Sequence, residues 1–207
     1  SIFPEWLLGH HLQLTLSAEE EQLLAETFAC LTANNLAQPQ GVMHRDFHSR
    51  NLMVCGGQTP GESELAIIDF QDMVIGPLSY DLVSLLKDCY VRWPDEVIEQ
   101  GMRQGFETLR QAELLGGLDY AAFRRAADLT GMQRHLKAAG IFTRLWHRDG
   151  KSGYLKDIPR TLDYVVDVCR THGESYPVLV RFGAWLEQVV LPGLTRVAEA
   201  RADGAAS

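Results

Sequence analysis

The chain has 207 residues, with 19 Lys and Arg against 27 Asp and Glu for a formal net charge of −8; 46% of its residues are hydrophobic and 22% charged. That mix is close to the globular norm and excludes a disordered or fibrous chain, and the length is enough to bury a core as one domain, or as one with a small annex. An acidic balance argues against wrapping nucleic acid, which needs cations to neutralise phosphates, and no stretch approaches the ~18 apolar residues of a membrane span.

In chain order, Ser17-Ala18-Glu19-Glu20 has the capping-box pattern, hydroxyl and carboxylate three apart, and Leu23 to Leu31 follows at helical spacing. Gln38-Pro39-Gln40-Gly41 breaks that helix. Val42-Met43 and Leu52-Met53-Val54 read as short strands bracketing a polar loop, Cys55 to Gly61 as a turn, and Leu65 to Ile68 as a third, buried strand. No strand signal follows residue 70. From Gly76-Pro77 onward the period is helical: Tyr80 to Cys89, a helix opened by Pro94 and ended by Gly116-Gly117, then Asp119 to about Leu136, Gly140 to Trp146, Arg160 to Arg170 and Val178 to Val190. Pro192-Gly193 is expected to close the last of these, and residues 198–207 to form a disordered Ala/Gly-rich tail.

Cys30, Cys55, Cys89 and Cys169 stand in no paired spacing and read as free thiols rather than a disulfide or zinc set. The N-terminal residues lack both a basic lead and an apolar run. Together these features point to a cytoplasmic protein with no membrane partner and no nucleic acid; they leave the oligomeric state open.

The concentrated polar chemistry is His44-Arg45-Asp46-Phe47-His48-Ser49-Arg50-Asn51, followed by Ile67-Ile68-Asp69-Phe70. The first piece fits H-R-D-x-x-x-x-N, a pattern that occurs by chance roughly once per 160,000 positions at average residue usage. It belongs with phosphoryl transfer. A carboxylate, Asp46, stands where it can take the proton of an acceptor hydroxyl. A neutral amide, Asn51, binds magnesium without adding repulsion to the phosphates. A second carboxylate, Asp69, ends the next apolar strand and completes the metal set. His147-Arg148-Asp149 repeats the first three letters, but Tyr154 stands where Asn is needed, so this copy reads as a loop. Gly150-Lys151-Ser152 lacks the first glycine of a phosphate-binding loop, since Leu145 occupies that place.

Asp46 to Asn51 with Asp69, then Gly76-Pro77 and Tyr80-Asp81-Leu82, resembles the aminoglycoside phosphotransferase and choline kinase-like superfamily. His44 through Met53, together with Gly131-Met132-Gln133-Arg134-His135-Leu136-Lys137, is closer still to one branch, the bacterial anomeric sugar kinases that act on N-acetylmuramate and N-acetylglucosamine in cell-wall recycling. The similarity runs from about Phe3 to Arg160. It implies an α+β, mainly helical fold: a protein-kinase-like C-terminal lobe over residues 1–197, with a small β-hairpin insert carrying the catalytic loop. It also implies ATP and magnesium as cofactors, Asp46 as base, Asn51 and Asp69 as metal ligands, and His44 and Asp81 as supports of the loop, Asp81 by accepting its backbone hydrogen bonds.

Three departures from the family pattern stand out. Arg45 occupies a place where many small-molecule kinases of the group carry Gly, and is expected to pack locally. Gln71 replaces the Gly of D-F-G. No Gly-rich loop and no Lys precede His44, the first lysine being Lys87, so the ATP-binding N-terminal lobe is expected to be missing from this chain. The chain by itself is then a C-terminal fragment that binds ATP weakly and turns over negligibly.

From Arg134 to Arg160 seven basic residues stand against Asp149 and Asp157, a stretch suited to an anionic acceptor such as a sugar carboxylate. His48, Arg134, His135 and Lys137 are the candidate acceptor contacts. Trp93 and Trp146 read as packing residues that could otherwise stack on a sugar. Other readings of the same residues stay open: an aminoglycoside or choline-type kinase, a metallohydrolase using His44, Asp46 and His48 on one extended face around zinc or manganese, and a helical module retaining the loop as a relic.

Overall fold

The structure, a computed structural model, describes residues 1–56 and 64–205. It is mainly helical with two small antiparallel sheets. Two compact units divide the chain: residues 33–131, and residues 1–32 with 132–207.

The unit of residues 33–131 holds all four strands found among the described residues. β1 (Gln40–Met43) pairs with β4 (Val74–Pro77), and β2 (Leu52–Cys55) with β3 (Glu64–Ile67). This corrects the single insert expected from sequence: β1 and β2, which flank the polar loop, belong to different sheets. β4 was not foreseen because only Val74 and Ile75 precede a Gly-Pro pair that reads as a turn; pairing with β1 is what makes it a strand. The turn expected between Cys55 and Gly61 lies largely outside the described residues. Nor is β3 buried: Leu65 is 69% exposed, and Val42, Val54, Ile67, Phe70 and Ile75 are exposed as well.

The same unit also holds helices. α2 (Tyr80–Leu86) and α3 (Asp95–Gln111) lie side by side. Phe106, Leu115 and Phe123 form a core cluster extended by Leu82, Leu109, Leu118 and Tyr120, and Ile98, Met102 and Phe106 are the buried residues of α3, spaced four apart as one helix face requires. Several buried polar side chains pair with one another, which offsets the cost of burying them. Gln38 donates to Thr130 Oγ1 at 2.8 Å and accepts from Ser79 Oγ at 2.6 Å, while Lys87 and Asp128 form an ion pair at 2.7 Å.

The other unit begins with a π-helical segment, Phe3–His11, and then α1 (Ala18–Ala37), which continues into residues 33–37 of the first unit. Ser17 N–H donates to Glu20 and Glu20 N–H to Ser17 Oγ, the reciprocal capping box read from sequence. Likewise α4 (Tyr120–Asp149) runs unbroken through both units, where the sequence suggested two helices parted before Gly140. Gly140 is not a break. A Cβ there would stand 2.7 Å from the Ile2 backbone, so the glycine admits the close approach of another chain segment. The second His-Arg-Asp triplet, expected in a loop, is the C-terminal turn of α4.

α5 (Ile158–His172) and α6 (Pro177–Trp185) pack together. Leu186–Val190 then widens to π geometry and α7 (Leu191–Ala205) continues. Pro192 does not end the helix as expected. Proline lacks an N–H and its ring crowds the carbonyl four residues back; the π turn just before it is the sort of local widening by which helices absorb such a defect. Residues 198–205, expected as a disordered tail, are helical; 206–207 lie outside the described residues. All four cysteines are free. No helix among the described residues is long and apolar enough to cross a membrane.

Within this unit His11 Nδ1 stands 3.1 Å from His147 Nε2. Burial, with His147 and Arg201 nearby, lowers the His11 pKa from 6.5 to about 4. The unfolded chain therefore binds a proton that the folded one refuses between pH 6.5 and 4. Stability is full above pH 6.5 and falls as pH drops through that window. The thermal midpoint is expected to decrease by about 2–4 °C between pH 7 and pH 5, equivalent to ~1 kcal/mol at this chain length. His11→Gln should flatten the slope, as thermal melts across pH will show.

Candidate active site

The residues singled out from sequence around positions 44–51 and 67–70 occupy the two places where the chain crosses between sheets. The first crossing, β1 to β2, carries His44 to Asn51; the second, β3 to β4, carries Ile68 to Met73. Both bend through the left-handed region, Arg45 at φ 74° and Asp69 at φ 68°. Such backbone is uncommon for residues other than Gly and costs on the order of 1–3 kcal/mol unless the surroundings hold it. Gly would take that φ at position 45 without strain.

What holds Arg45 is Asp81, in the first turn of α2. Its carboxylate accepts from the His44 N–H at 2.6 Å and the Arg45 N–H at 3.0 Å. The Arg45 side chain packs locally, as expected, donating to the Asp72 carbonyl at 3.3 Å.

Further hydrogen bonds join the two crossings. The buried His44 ring lies with Nε2 3.0 Å from the Ile68 carbonyl, and the Ile68 N–H donates to the Asn51 carbonyl at 3.1 Å. Asn51 Nδ2 donates to the Asp46 carbonyl at 3.0 Å and to Asp69 Oδ2 at 3.3 Å. Asn51 thus touches the loop that bears Asp46 and the carboxylate of Asp69 at once, and its Oδ1 remains the atom able to face a cation. Gln71 donates to Asp69 Oδ1 at 2.6 Å; where D-F-G carries Gly, this chain carries a side chain that orients the acid. A groove of about 320 Å³, lined by Val42, His44, Phe47, Ile67, Phe70, Met73 and Asp81, adjoins the crossings.

The donor set fits magnesium. A hard cation of that size takes one or two protein oxygens and fills its octahedron with water and substrate phosphates, and Asp69 with Asn51 supplies one carboxylate and one neutral oxygen. It does not fit the metallohydrolase reading. Among the described residues no group of three or more His, Cys, Asp and Glu is arranged to hold a metal. Instead His44 is engaged by Ile68, and the His48 ring packs edge-on against Tyr90, 5.4 Å between centroids.

Arg134 and His135 are buried in α4 within the other unit, the His135 ring stacked on Tyr164 at 4.9 Å, and Lys137 is half-buried. Trp93 donates to the Leu85 carbonyl and Trp146 carries the Arg201 guanidinium over its ring, which agrees with packing roles.

Sequence reasoning missed two residues that shape the loop, Asp88 and Tyr90, and assigned Gln71 no role. Asp88 accepts from Ser49, and Arg50 lies over the Tyr90 ring at 3.6 Å. The one available signal was an acidic residue closing the apolar run from Tyr80.

Comparison with known proteins agrees with this geometry. The chain is 42% identical over 178 residues to the N-acetylmuramate/N-acetylglucosamine kinase of Neisseria meningitidis serogroup B, covering 86% of this chain and 52% of that protein. To the kinases of the same name from Pseudomonas putida and Pseudomonas aeruginosa it is 40% and 37% identical, covering 81% and 79% of this chain and 48% and 47% of theirs. The chain spans about half the length of these curated relatives. Residues 2–115, which include both crossings and Asp81, match the phosphotransferase enzyme family. With that match over more than half its length, the chain belongs to the phosphotransferase enzyme family.

Proposed function

We propose that the full-length protein transfers the γ-phosphoryl group of ATP to the anomeric hydroxyl of an N-acetylated amino sugar, N-acetylmuramate or N-acetylglucosamine. The observation that carries this reading is the side chain of Asn51, which ties the loop of Asp46 to the carboxylate of Asp69. The names of the relatives support the choice of acceptor.

Asp46 accepts the proton of the acceptor hydroxyl, or orients its oxygen for in-line attack. Asn51 and Asp69 hold magnesium, which when bound neutralises charge on the phosphate oxygens. Asp81 and His44 fix the loop, so that positioning and electrostatics carry the acceleration. Arg134, His135 and Lys137 remain proposed acceptor contacts, and His48 a further one. The described residues form the C-terminal lobe of a kinase-like fold. Two observations support an additional ATP-holding lobe in the full-length protein: the half-length coverage of the relatives and the exposed apolar side chains on both sheets.

The test is an ADP-coupled assay of the full-length protein with N-acetylmuramate, N-acetylglucosamine, an aminoglycoside and choline. Magnesium-dependent turnover on the amino sugars is expected, with phosphorus–proton coupling at the anomeric position of the product. Turnover on only the aminoglycoside or choline would overturn the acceptor assignment. Zinc-dependent ester hydrolysis without phosphoryl transfer would overturn the reaction class.

A further inference from the structure

The loop that bears Asp46 and Asn51 is held at both ends by carboxylates, and the function proposed above uses one of them. Asp81 holds the start. At the far end, Ser49–Asn51 is a single turn of 3-10 helix whose N-cap, His48, makes no side-chain capping bond. The first amides of such a turn have no partner within it. Asp88, just beyond α2 and 0% exposed, supplies one: its Oδ2 accepts from the Ser49 N–H at 3.0 Å and from Ser49 Oγ at 2.6 Å. Its Oδ1 accepts from the Tyr90 N–H at 2.8 Å, and the Tyr90 ring in turn packs against His48 and Arg50. Asn51 closes the same turn, its N–H donating to the His48 carbonyl at 2.9 Å.

We infer that Asp88 is a positioning residue for the reaction: by capping the Ser49–Asn51 turn from a distance it sets where the Asn51 amide meets the metal. This inference rests on the phosphotransfer reading. Both carboxylate oxygens accept from backbone N–H groups, so an amide in place of the acid would turn its NH₂ toward one of these donors. Asp88→Asn is therefore a disruptive change despite its equal size. Ser49→Ala is milder, because the Ser49 N–H still reaches Asp88.

The experiment uses the full-length protein with Asp88→Asn, Ser49→Ala and, as reference, Asn51→Ala. It reads three quantities: the magnesium dependence of the initial rate with N-acetylglucosamine, the calorimetric affinity for a non-hydrolysable ATP analogue with and without magnesium, and the thermal midpoint. For Asp88→Asn, the magnesium concentration for half-maximal rate should rise about 10–100-fold, the usual cost of losing a residue that orients a metal ligand. The calorimetric magnesium effect should weaken in parallel, while the acceptor KM stays within about twofold. Ser49→Ala should shift the same quantities by roughly a third of that logarithmic range.

A lowered thermal midpoint with an unchanged magnesium response per folded molecule would overturn the inference, since that is what a merely structural residue produces. Should Asp88→Asn fail to fold, Ser49→Ala decides alone, and a wild-type magnesium response then overturns it. If Asn51→Ala itself keeps the wild-type magnesium response, the phosphotransfer reading fails and this inference with it. If Asn51→Ala is impaired and both other variants are wild type, only the inference fails. The binding titration needs no acceptor, so it reads Asp88 whichever sugar or alcohol proves to be the substrate.

Discussion

Asp46→Ala in the full-length protein is expected to lower kcat by about 10²–10⁴, the range for a positioned acid or base, and to leave the fold intact. The side chain of Asp46 is half-buried in the first crossing, and the loop around it is held by other residues. Asp81 grips its start and Asp88 its end, and Asn51 bonds the Asp46 carbonyl rather than its carboxylate. Removing the carboxylate thus takes away a proton acceptor without removing a support. Steady-state rates with the amino-sugar acceptor check this, together with an unchanged thermal midpoint. Wild-type kcat would mean that Asp46 is not the base.

The second large effect is expected at Asp69. Asp69→Ala should abolish the magnesium-dependent part of nucleotide binding, because the remaining ligand, the neutral Asn51 oxygen, holds a hard dication poorly by itself. Calorimetry of the ATP analogue with and without magnesium measures that part directly, and an affinity still enhanced by magnesium would remove Asp69 from the metal set. The substitution also deletes the acceptor of both Asn51 and Gln71. It replaces a residue that tolerates positive φ with one that resists it, so the thermal midpoint should be recorded alongside and binding compared per folded molecule.

Much of the fold was legible because its signals are local. The capping box at Ser17 and Glu20 formed as read, and the apolar register of Ile98, Met102 and Phe106 faces inward. Where reading failed, a local signal had two meanings. Gly140 can end a helix or admit a neighbouring backbone, and only the passage of Ile2 decides between them. Pro192 ends most helices, but the π turn before it carries the chain past. Val74-Ile75 is too short to declare a strand until β1 lies beside it, and that pairing separates the two strands flanking the catalytic loop into different sheets.

The amino-acid order alone singled out the residues to which the proposed chemistry is assigned. Four letters at fixed spacing and an acid at the end of an apolar strand identify phosphoryl transfer, because a proton acceptor, a neutral metal ligand and a charged one are separate requirements that few other sequences meet together. What only the tertiary structure decided is how that loop is kept in its uncommon backbone shape. Asp81 and Asp88 do so through hydrogen bonds from amides 36 and 39 residues away, while Gln71 orients the Asp69 carboxylate from two residues on. A carboxylate's capacity to accept is visible in any sequence, but which amide it meets depends on packing between elements that no local pattern encodes.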